Sequence, residues 1–522
     1  MPPDSRRSKR RRTYAWQRAR QISQAVALLA FLAVFLGMPS ARLPGSLTQL
    51  FLHLDPLAML AQAIANRAWL AGAALGVLTL GLTLVFGRAW CGWICPLGAL
   101  LDLLPLSRGT RRAPPESWRG IKTVLLVAIL GMALAGSLTL LVLDPLTLLL
   151  RGLSSGLWPA LDQLVTALEA ALYPLPGLSD AVASFDDWVR PRLLPSQPVT
   201  ARWGWLYLAV LLAVVALNAW APRFWCRYLC PLGGLLGWVG RLSLIRRTVG
   251  EDCSGCGLCE GACPTGTIDP QRDYASDPAE CTLCMDCIQA CPAHRTKGRH
   301  SRFRFLGHPA LAQAQPYDPG RRQALGALGA GLAGAVLAAA GDSNRQRHPA
   351  LIQPPGGKQN ELVMRCIRCG ACVRACPTGG LQPALAEAGL EGFWTPVLMP
   401  RLGYCDYACN ACGQVCPVGA IPLLGLEDKR QQVIGLASID RDRCIPWSEA
   451  GQCIICEEMC PVPDKAIYLE EVDVPGRNGQ PRGVQRPHVE PELCIGCGIC
   501  EYRCPVAGPA AIRVYALRTT DD

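Results

Sequence analysis

Cysteine is the residue whose spacing carries chemistry in this chain. All 28 cysteines belong to a motif, and 24 of them fall into six runs of four that end in Cys-Pro. The first run is Cys253, Cys256, Cys259 and Cys263, and the second is Cys281, Cys284, Cys287 and Cys291. The third is Cys366, Cys369, Cys372 and Cys376, and the fourth is Cys405, Cys409, Cys412 and Cys416. The fifth is Cys444, Cys453, Cys456 and Cys460, and the sixth is Cys494, Cys497, Cys500 and Cys504. The first, second, third and sixth read C-x2-C-x2-C-x3-C-P. The fourth opens C-x3-C and the fifth C-x8-C, and both keep the C-x2-C-x3-C-P ending. Three close thiolates hold one face of an iron–sulfur cube, and in two-cluster ferredoxins the remote fourth cysteine ligates the other cube. Zinc sites use paired C-x2-C units and need no trailing Cys-Pro. A disulfide framework would have to bridge distant partners six times in one repeated spacing. The spacing therefore predicts six [4Fe–4S] clusters.

The other four cysteines sit in an internal repeat. Cys91-Gly-Trp-Ile-Cys95-Pro-Leu-Gly-Ala-Leu-Leu matches Cys226-Arg-Tyr-Leu-Cys230-Pro-Leu-Gly-Gly-Leu-Leu. One apolar stretch earlier in each copy lies an Asp-Pro, Leu-His-Leu-Asp55-Pro-Leu and Leu-Val-Leu-Asp144-Pro-Leu. Both copies run in the same direction, a parallel repeat. The pair Cys91 and Cys95 and the pair Cys226 and Cys230 read as redox thiols, as an additional metal centre, or as structural ends of helices that proline terminates. Asp55 and Asp144 read as helix N-caps before a proline, or, with His53, as a quinol site that accepts a proton. None of the six histidines lies within the apolar stretches, so a buried bis-histidine haem is not available.

Long apolar elements must position these motifs. Half of the 522 residues are apolar and mean hydropathy is +0.21. Ile22–Met38, Trp69–Phe86, Val124–Val142 and Trp205–Ala219 each approach the length that spans ~30 Å of hydrocarbon. The net charge of +11 does not point to nucleic acid, because it is distributed by segment. Residues 1–20 hold eight basic residues and one acid, and 223–247 hold five arginines and no acid, whereas 144–203 hold four basic residues and six acids. Under the positive-inside rule the N-terminus, both Cys-x-x-x-Cys-Pro motifs and the run from Cys253 are cytoplasmic. Within the acidic insertion, Leu157–Leu172 has helical spacing and could lie along the outer membrane surface.

A second membrane passage is expected further on. Arg321-Arg322 precedes Gln323–Ala340, a run of Ala, Gly, Leu and Val, in the manner of a twin-arginine export signal. That predicts export of residues 346–522 with clusters already in place, whether or not the segment is cleaved. The formal Gly329-x-Gly331-x-x-Gly334 fingerprint within it has no strand before it and is discarded as a dinucleotide site.

With these residues in view, 1–300 resembles the NapH/MauN-type membrane ferredoxins, and 315–522 resembles the NapG/MauM-type exported ferredoxins. The chain looks like a fusion of the two. The resemblance implies an α+β chain: a polytopic helical membrane domain (1–248), a bacterial-ferredoxin-like two-cluster domain (249–300), a linker (301–345) and a four-cluster periplasmic domain (346–522). It also implies an electron-transfer component of the inner membrane. Its substrate would be the quinol pool and its partner a periplasmic cytochrome or molybdoenzyme such as nitrate reductase. Whether it is itself a quinol dehydrogenase is left open. The alternative is an assembly or redox-maintenance factor for a periplasmic metalloenzyme.

Ligand exchange is expected within the first two runs, so that Cys263 joins Cys281, Cys284 and Cys287, and Cys291 joins Cys253, Cys256 and Cys259. For the last four runs the two regular ones lie outermost. That suggests nesting: Cys366–Cys376 exchanging with Cys494–Cys504, and Cys405–Cys416 with Cys444–Cys460. Ile268, Leu381, Ile421, Ile467 and Ile512, after the Cys-Pro units, are expected to enter short strands.

Overall fold

The computed structural model describes residues 4–39, 42–70, 72–106, 114–190, 193–195, 199–249, 253–292, 301–305, 325–326, 329–331, 333–334, 336, 351–389, 391–475 and 481–517. The chain divides into two compact units. The first comprises Met1–Phe35, Leu50–Leu149 and Val210–Ala339; the second comprises Leu36–Gln49, Leu150–Ala209 and Ala340–Asp522. These boundaries differ from a simple series of domains, because the connecting segments 36–49 and 150–209 pack with the C-terminal region.

In the first unit the repeat fixes the architecture. Asp55 and Asp144 stand immediately before the helices Pro56–Asn66 and Pro145–Arg151. Cys95 and Cys230 do the same before Pro96–Leu103 and Pro231–Gly240. Proline is favoured at a first helical position because its missing N–H has no intrahelical acceptor there anyway. Asp55 accepts from the amides of Leu57 at 2.9 Å and Ala58 at 3.3 Å, and Asp144 from Leu146 at 3.0 Å and Thr147 at 3.1 Å. The two copies are thus capped in the same way.

The apolar helices are shorter than the sequence suggests. Among the described residues, Trp16–Gly37 and Glu116–Leu134 are long and apolar enough to cross a membrane, and Ala73–Phe86 and Gly204–Ala219 are shorter apolar helices. The expected span to Val142 breaks after Leu134, where Gly136 takes a left-handed φ of +81° and a separate turn, Thr139–Leu143, follows. Glycine carries no Cβ penalty in that conformation, so it ends helices. The helical residues at 325–326, 329–331, 333–334 and 336 belong to this unit. A Cβ on Gly131 of the helix Gly120–Leu134 would come within 2.9 Å of the Gly331 carbonyl oxygen. Small residues let two helix backbones approach this closely inside a membrane.

The two-cluster region completes the unit. Short helices Leu258–Gly261 and Asp286–Ala290 pack together, beside the hairpin Ile268–Asp269 with Ala275–Ser276. Strand Ile245–Val249 pairs antiparallel with Ser301–Phe305.

The second unit holds the remaining four runs. Its strand pairs are Leu381–Pro383 with Pro396–Leu398, Leu436–Ile439 with Ile512–Tyr515, and Ile467–Pro475 with Pro481–Val489. Ile268, Leu381, Ile467 and Ile512 enter strands as expected; Ile421 is buried but does not. Helix Trp158–Leu172 forms where its spacing placed it. Segment 150–209 packs onto the cluster runs: Arg151 donates to the Arg368 carbonyl at 3.0 Å, and the amide of Arg202 to Gln382 at 3.0 Å. From 36–49, Gln49 donates to the carbonyls of Gln414 at 3.0 Å and Cys416 at 3.1 Å.

Candidate iron–sulfur centres and the repeat beside them

The four regular runs share one backbone shape. The residues on either side of the second cysteine have positive φ in every case: Gly255 and Gly257, Leu283 and Met285, Arg368 and Gly370, Gly496 and Gly498. Non-glycine residues rarely adopt that conformation, and they persist in it only where surroundings demand it. Alternating handedness turns backbone N–H groups inward, the nest geometry found around iron–sulfur centres. Arg368 is held there by its own buried guanidinium, which donates to the carbonyls of Cys366 at 2.9 Å, Phe393 at 3.0 Å and Glu391 at 2.5 Å. The amide of Arg368 also points at the Cys366 sulfur, 3.3 Å away. The variant runs lack this pair; Asn410 and Ile454, at the corresponding place, have φ of −131° and −122°.

Among the described residues, no group of three or more His, Cys, Asp or Glu side chains is placed to hold a metal ion. Burial pushes the Cys281 and Cys287 thiols up to about 12, so iron binding there must displace protons.

The cysteines gather into sets of three plus one. Cys263 stands beside Cys281, Cys284 and Cys287, as the sequence predicted. In the second unit the order differs from the nested expectation. Cys416 stands beside Cys366, Cys369 and Cys372, and Cys376 beside Cys405, Cys409 and Cys412. Cys504 lies near Cys444, and Cys460 near Cys497. Helix Ala371–Ala375 accordingly packs on Ala411–Val415, and Ile455–Glu458 on Ile499–Arg503. Each run pairs with its neighbour in sequence, one regular with one variant. The reason is loop closure: adjacent runs need only a short hairpin between them, and nesting would close much longer loops.

Two ligands read from the spacing, Cys253 and Cys256, are exposed, whereas the other cluster cysteines are buried or half-buried. Cys256 is expected to share a cube face with Cys253 and Cys259. The short helix that follows, Leu258–Gly261, buries none of its residues, so nothing on it screens that thiol. Cys453 stands beside Cys444 and Cys456 as expected, but it is only half-buried. The helix that follows it, Ile455–Glu458, likewise buries none of its residues. Cys284 and Cys500, in the neighbouring regular runs, are buried. Sequence spacing places thiols in a loop but does not register which side of that loop meets solvent.

The two Cys-x-x-x-Cys-Pro motifs meet in the first unit through a reciprocal arginine pair. Arg88 precedes Cys91 by three residues, and Arg223 precedes Cys226 by three. Arg88 donates to the Cys226 carbonyl at 3.3 Å, and Arg223 to the Cys91 carbonyl at 3.0 Å. Each arginine therefore reaches across to the other copy. Both are about 1% exposed, and each has an acid: Arg88 pairs with Glu280 at 2.7 Å and Arg223 with Asp102 at 2.6 Å. Sequence reasoning missed these arginines. The signal was present, since Arg-x-Trp-Cys occurs in both copies. All four cysteines are buried, and Cys226 sits in a wide π turn, Trp225–Leu229. Such turns recur at functional sites.

The same motif touches the two-cluster region. A Cβ on Gly92, between Cys91 and Cys95, would lie 2.5 Å from the carbonyl oxygen of Thr282, between Cys281 and Cys284. Trp93 donates to the Leu283 carbonyl at 3.2 Å. Glu280 binds both Arg88 and Lys122. Burial alone would push the Glu280 carboxyl up, but Lys122, Arg88 and Arg119 more than offset it and hold it down at about 2.

The structure also brings Asp55 and Asp144 together. Their carboxyls lie within hydrogen-bonding reach of each other, and both are fully buried. Oδ2 of Asp55 and Oδ1 of Asp144, the oxygens not used for capping, have no other partner. Two buried carboxyls so placed oppose each other's ionisation. His53 packs against Gly72.

Comparison with known proteins places these cysteines in a family. A 4Fe-4S binding domain model matches residues 68–114 and 202–250, each stretch holding one Cys-x-x-x-Cys-Pro pair. A 4Fe-4S dicluster model matches 251–294 and 365–420, a second dicluster model matches 273–377, and a further 4Fe-4S binding domain matches 487–507. The methylamine utilization ferredoxin-type protein MauM of Methylorubrum extorquens is 36% identical over 210 residues, 38% of this chain and 91% of MauM. The chain belongs to the MauM/NapG family of ferredoxin-type proteins. The ferredoxin-type protein NapG of Escherichia coli is 34% identical over 171 residues, 32% of this chain and 71% of NapG. Protein NirI of Paracoccus denitrificans is 29% identical over 224 residues, 40% of this chain and 26% of NirI. No solved structure matches. The dicluster match over 365–420 spans the third and fourth runs together, the pairing the geometry gives this MauM/NapG relative.

Proposed function

We propose that this chain carries electrons from membrane quinol, through iron–sulfur clusters, to a periplasmic oxidoreductase. One observation supports the reading: the amide of Cys405 bonds the Cys497 carbonyl at 2.8 Å, so loops of the two paired sets in the second unit touch, as one line of four centres would require. The line begins with Cys366, Cys369 and Cys372 joined by Cys416, then Cys405, Cys409 and Cys412 joined by Cys376. It continues with Cys494, Cys497 and Cys500 joined by Cys460, then Cys444, Cys453 and Cys456 joined by Cys504. In the first unit one set is Cys281, Cys284 and Cys287 with Cys263, and the other is Cys253, Cys256 and Cys259 with Cys291. The cubes supply one-electron redox steps. The protein residues hold them in sequence, aim amides at their sulfurs and, in the buried sets, keep water from them. The exposed thiols of Cys253 and Cys256 mark a centre where electrons enter or leave most easily.

The four cysteines of the repeat form a further centre in this reading. Each of the 68–114 and 202–250 matches contains only two cysteines, so a cube there needs both copies. The crossed arginines hold the copies together, and Gly92 against Thr282 puts that centre next to the Cys281 set.

The membrane reading rests on charge and on packing within each unit. The basic helix ends, through Arg20, Arg88, Arg119 and Lys122, bind the two-cluster region. The segments 36–49 and 150–209 bind the four-cluster region. A multi-pass protein of the inner membrane with a periplasmic C-terminal region satisfies both. The contact of Gly331 with Gly131 favours retention of the apolar segment that carries Gly331.

The test is a quinol analogue added to the anaerobically purified full chain in nanodiscs. The visible absorbance of the clusters should bleach, as it does with dithionite. Bleaching by dithionite alone would leave the assembly-factor alternative.

A further inference from the structure

Within the second unit, helices Trp158–Leu172 and Ser179–Val189 pack as a hairpin around the tip 173–178. Between residues 158 and 179 the sequence holds two charged side chains, Asp162 and Glu169, and Arg190 binds both, at 3.4 and 2.8 Å. Arg190 also donates to Thr166 at 3.0 Å. Asp162, Thr166 and Glu169 recur at helical spacing, so the first helix turns its polar side onto Arg190. Away from that side Leu164 and Leu168 are 55% and 53% exposed. Tyr173 and Leu175 at the tip are 61% and 46% exposed, and Phe185 and Trp188 of the second helix are 49% and 55% exposed. Single exposed apolar residues are ordinary, but a contiguous exposed apolar face marks a contact surface. The base of the hairpin stands beside the ends of two apolar helices. A Cβ on Gly156 would lie 2.7 Å from the backbone nitrogen of Leu208, in Gly204–Ala219. Leu36, in the last turn of Trp16–Gly37, lines one small cavity with Trp158 and Pro159. Trp203 and Trp205, at the start of Gly204–Ala219, are 41% and 65% exposed. Aromatic side chains gather in this way at membrane–water boundaries.

We infer that this hairpin lies in the outer leaflet of the bilayer, its apolar side against lipid. The inference rests on the membrane reading above and extends it from the spans to the cluster-bearing unit. The expectation for Leu157–Leu172 covered one helix; the structure adds the second helix and an uncharged tip. Position selects lipid as the occupant, because the apolar side begins where the two apolar helices end. Helices with one apolar and one polar side rest in this layer. Residues 158–189 include no Lys or Arg, so attraction to anionic headgroups plays no part and burial of apolar area is what binds. Asp180 and Asp187, exposed on the second helix, face the headgroup water. The base of the hairpin also holds the cluster loops. Arg374, between Cys372 and Cys376 in sequence, stacks over the Trp158 ring at 4.5 Å from its centroid. A Cβ on Gly379 would come within 2.9 Å of a Val199 methyl. The hairpin thereby keeps the Cys366 and Cys405 sets, one end of the line, at the lipid surface.

The test uses the full chain in phosphatidylcholine nanodiscs, with and without phosphatidylglycerol. The discs carry a lipid with a diazirine either near the glycerol or at the acyl-chain end, and labelled peptides are mapped by mass spectrometry. The glycerol-level probe should label the peptides of 158–189, and the chain-end probe should label Trp16–Gly37 and Glu116–Leu134. Phosphatidylglycerol should leave the hairpin signal unchanged. Leu164→Glu combined with Leu168→Glu should cut hairpin labelling by about tenfold. Labelling of the spans and dithionite bleaching of the clusters should stay as in the wild type. If that double variant loses its clusters, Phe185→Glu decides the matter through the same readouts. Labelled spans with a bare hairpin would overturn the inference, leave the membrane reading standing and give the face to a protein partner. Hairpin labelling from the chain end as strong as that of the spans, or wild-type labelling in the variants, would overturn the placement. Label on neither hairpin nor spans would remove the membrane reading with it.

Discussion

The amide of Cys405 donates to the carbonyl oxygen of Cys497 across 2.8 Å, and a buried cation, Lys429, lies beside both cysteines. One lysine thus faces two neighbouring cluster loops at the point where the two paired sets join. A positive charge there stabilises the added electron on either centre. Lys429→Gln is expected to lower the potentials of both by about 60–120 mV, the equivalent of ~1.4–2.8 kcal/mol per electron. A redox titration followed by EPR reads this directly. Two centres should move and the others should stay.

The pairing of adjacent runs makes a separate forecast. Cys416→Ser should damage the centre held by Cys366, Cys369 and Cys372, while Cys376→Ser should damage the one held by Cys405, Cys409 and Cys412. Mössbauer spectra of the two variants should each show one altered cube, and a double variant should show two. A nested arrangement would have Cys504→Ser disturb the Cys366 set instead.

Glu280 ties the two-cluster region to the helices through Arg88 and Lys122. Glu280→Gln leaves two buried cations without their acid, which costs about 3–5 kcal/mol. The region around 253–292 should become accessible to limited proteolysis at temperatures where the wild type resists. The pH dependence follows from the depressed value. A carboxyl whose folded value is about 2, below the ordinary 4.5, contributes stability that is complete above the ordinary value and is lost as pH falls through about 2. Proteolytic resistance should therefore be flat from neutral pH down to mildly acid conditions.

Gly131 and Gly331 bring two helices into backbone contact. Gly131→Leu should force them apart at a cost of about 1–3 kcal/mol. In the wild type, tags at the two ends of the chain should migrate together on a denaturing gel. Two separate fragments would show that residues 323–340 are cut rather than retained.

How far these relationships were legible in the sequence depends on their range. The six runs and the parallel repeat could be read outright, because ligand spacing within a loop is local, and so could the exchange of Cys263 with the Cys281 set. The exposure of Cys256 and the half-burial of Cys453 could not, because burial depends on what packs over a loop. The partner choice among the last four runs was not legible either. Irregular spacing in the Cys405 and Cys444 runs looked like an inner pair, whereas each irregular run completes the regular one beside it. Span lengths were overread because hydropathy does not register Gly136, whose left-handed turn ends the helix at Leu134. The crossed bonds of Arg88 and Arg223 link positions 138 and 132 residues away, a relation that only the folded repeat creates. Their equal offset before the first cysteine of each motif was the clue.

The account depends on the cysteine runs holding cubane iron, and anaerobic purification followed by iron, sulfide and Mössbauer analysis tests that most directly. It predicts four irons and four sulfides for every run of four cysteines, with cubane spectra throughout. A chain that is iron-free, with zinc on its thiols or disulfides between them, would contradict it.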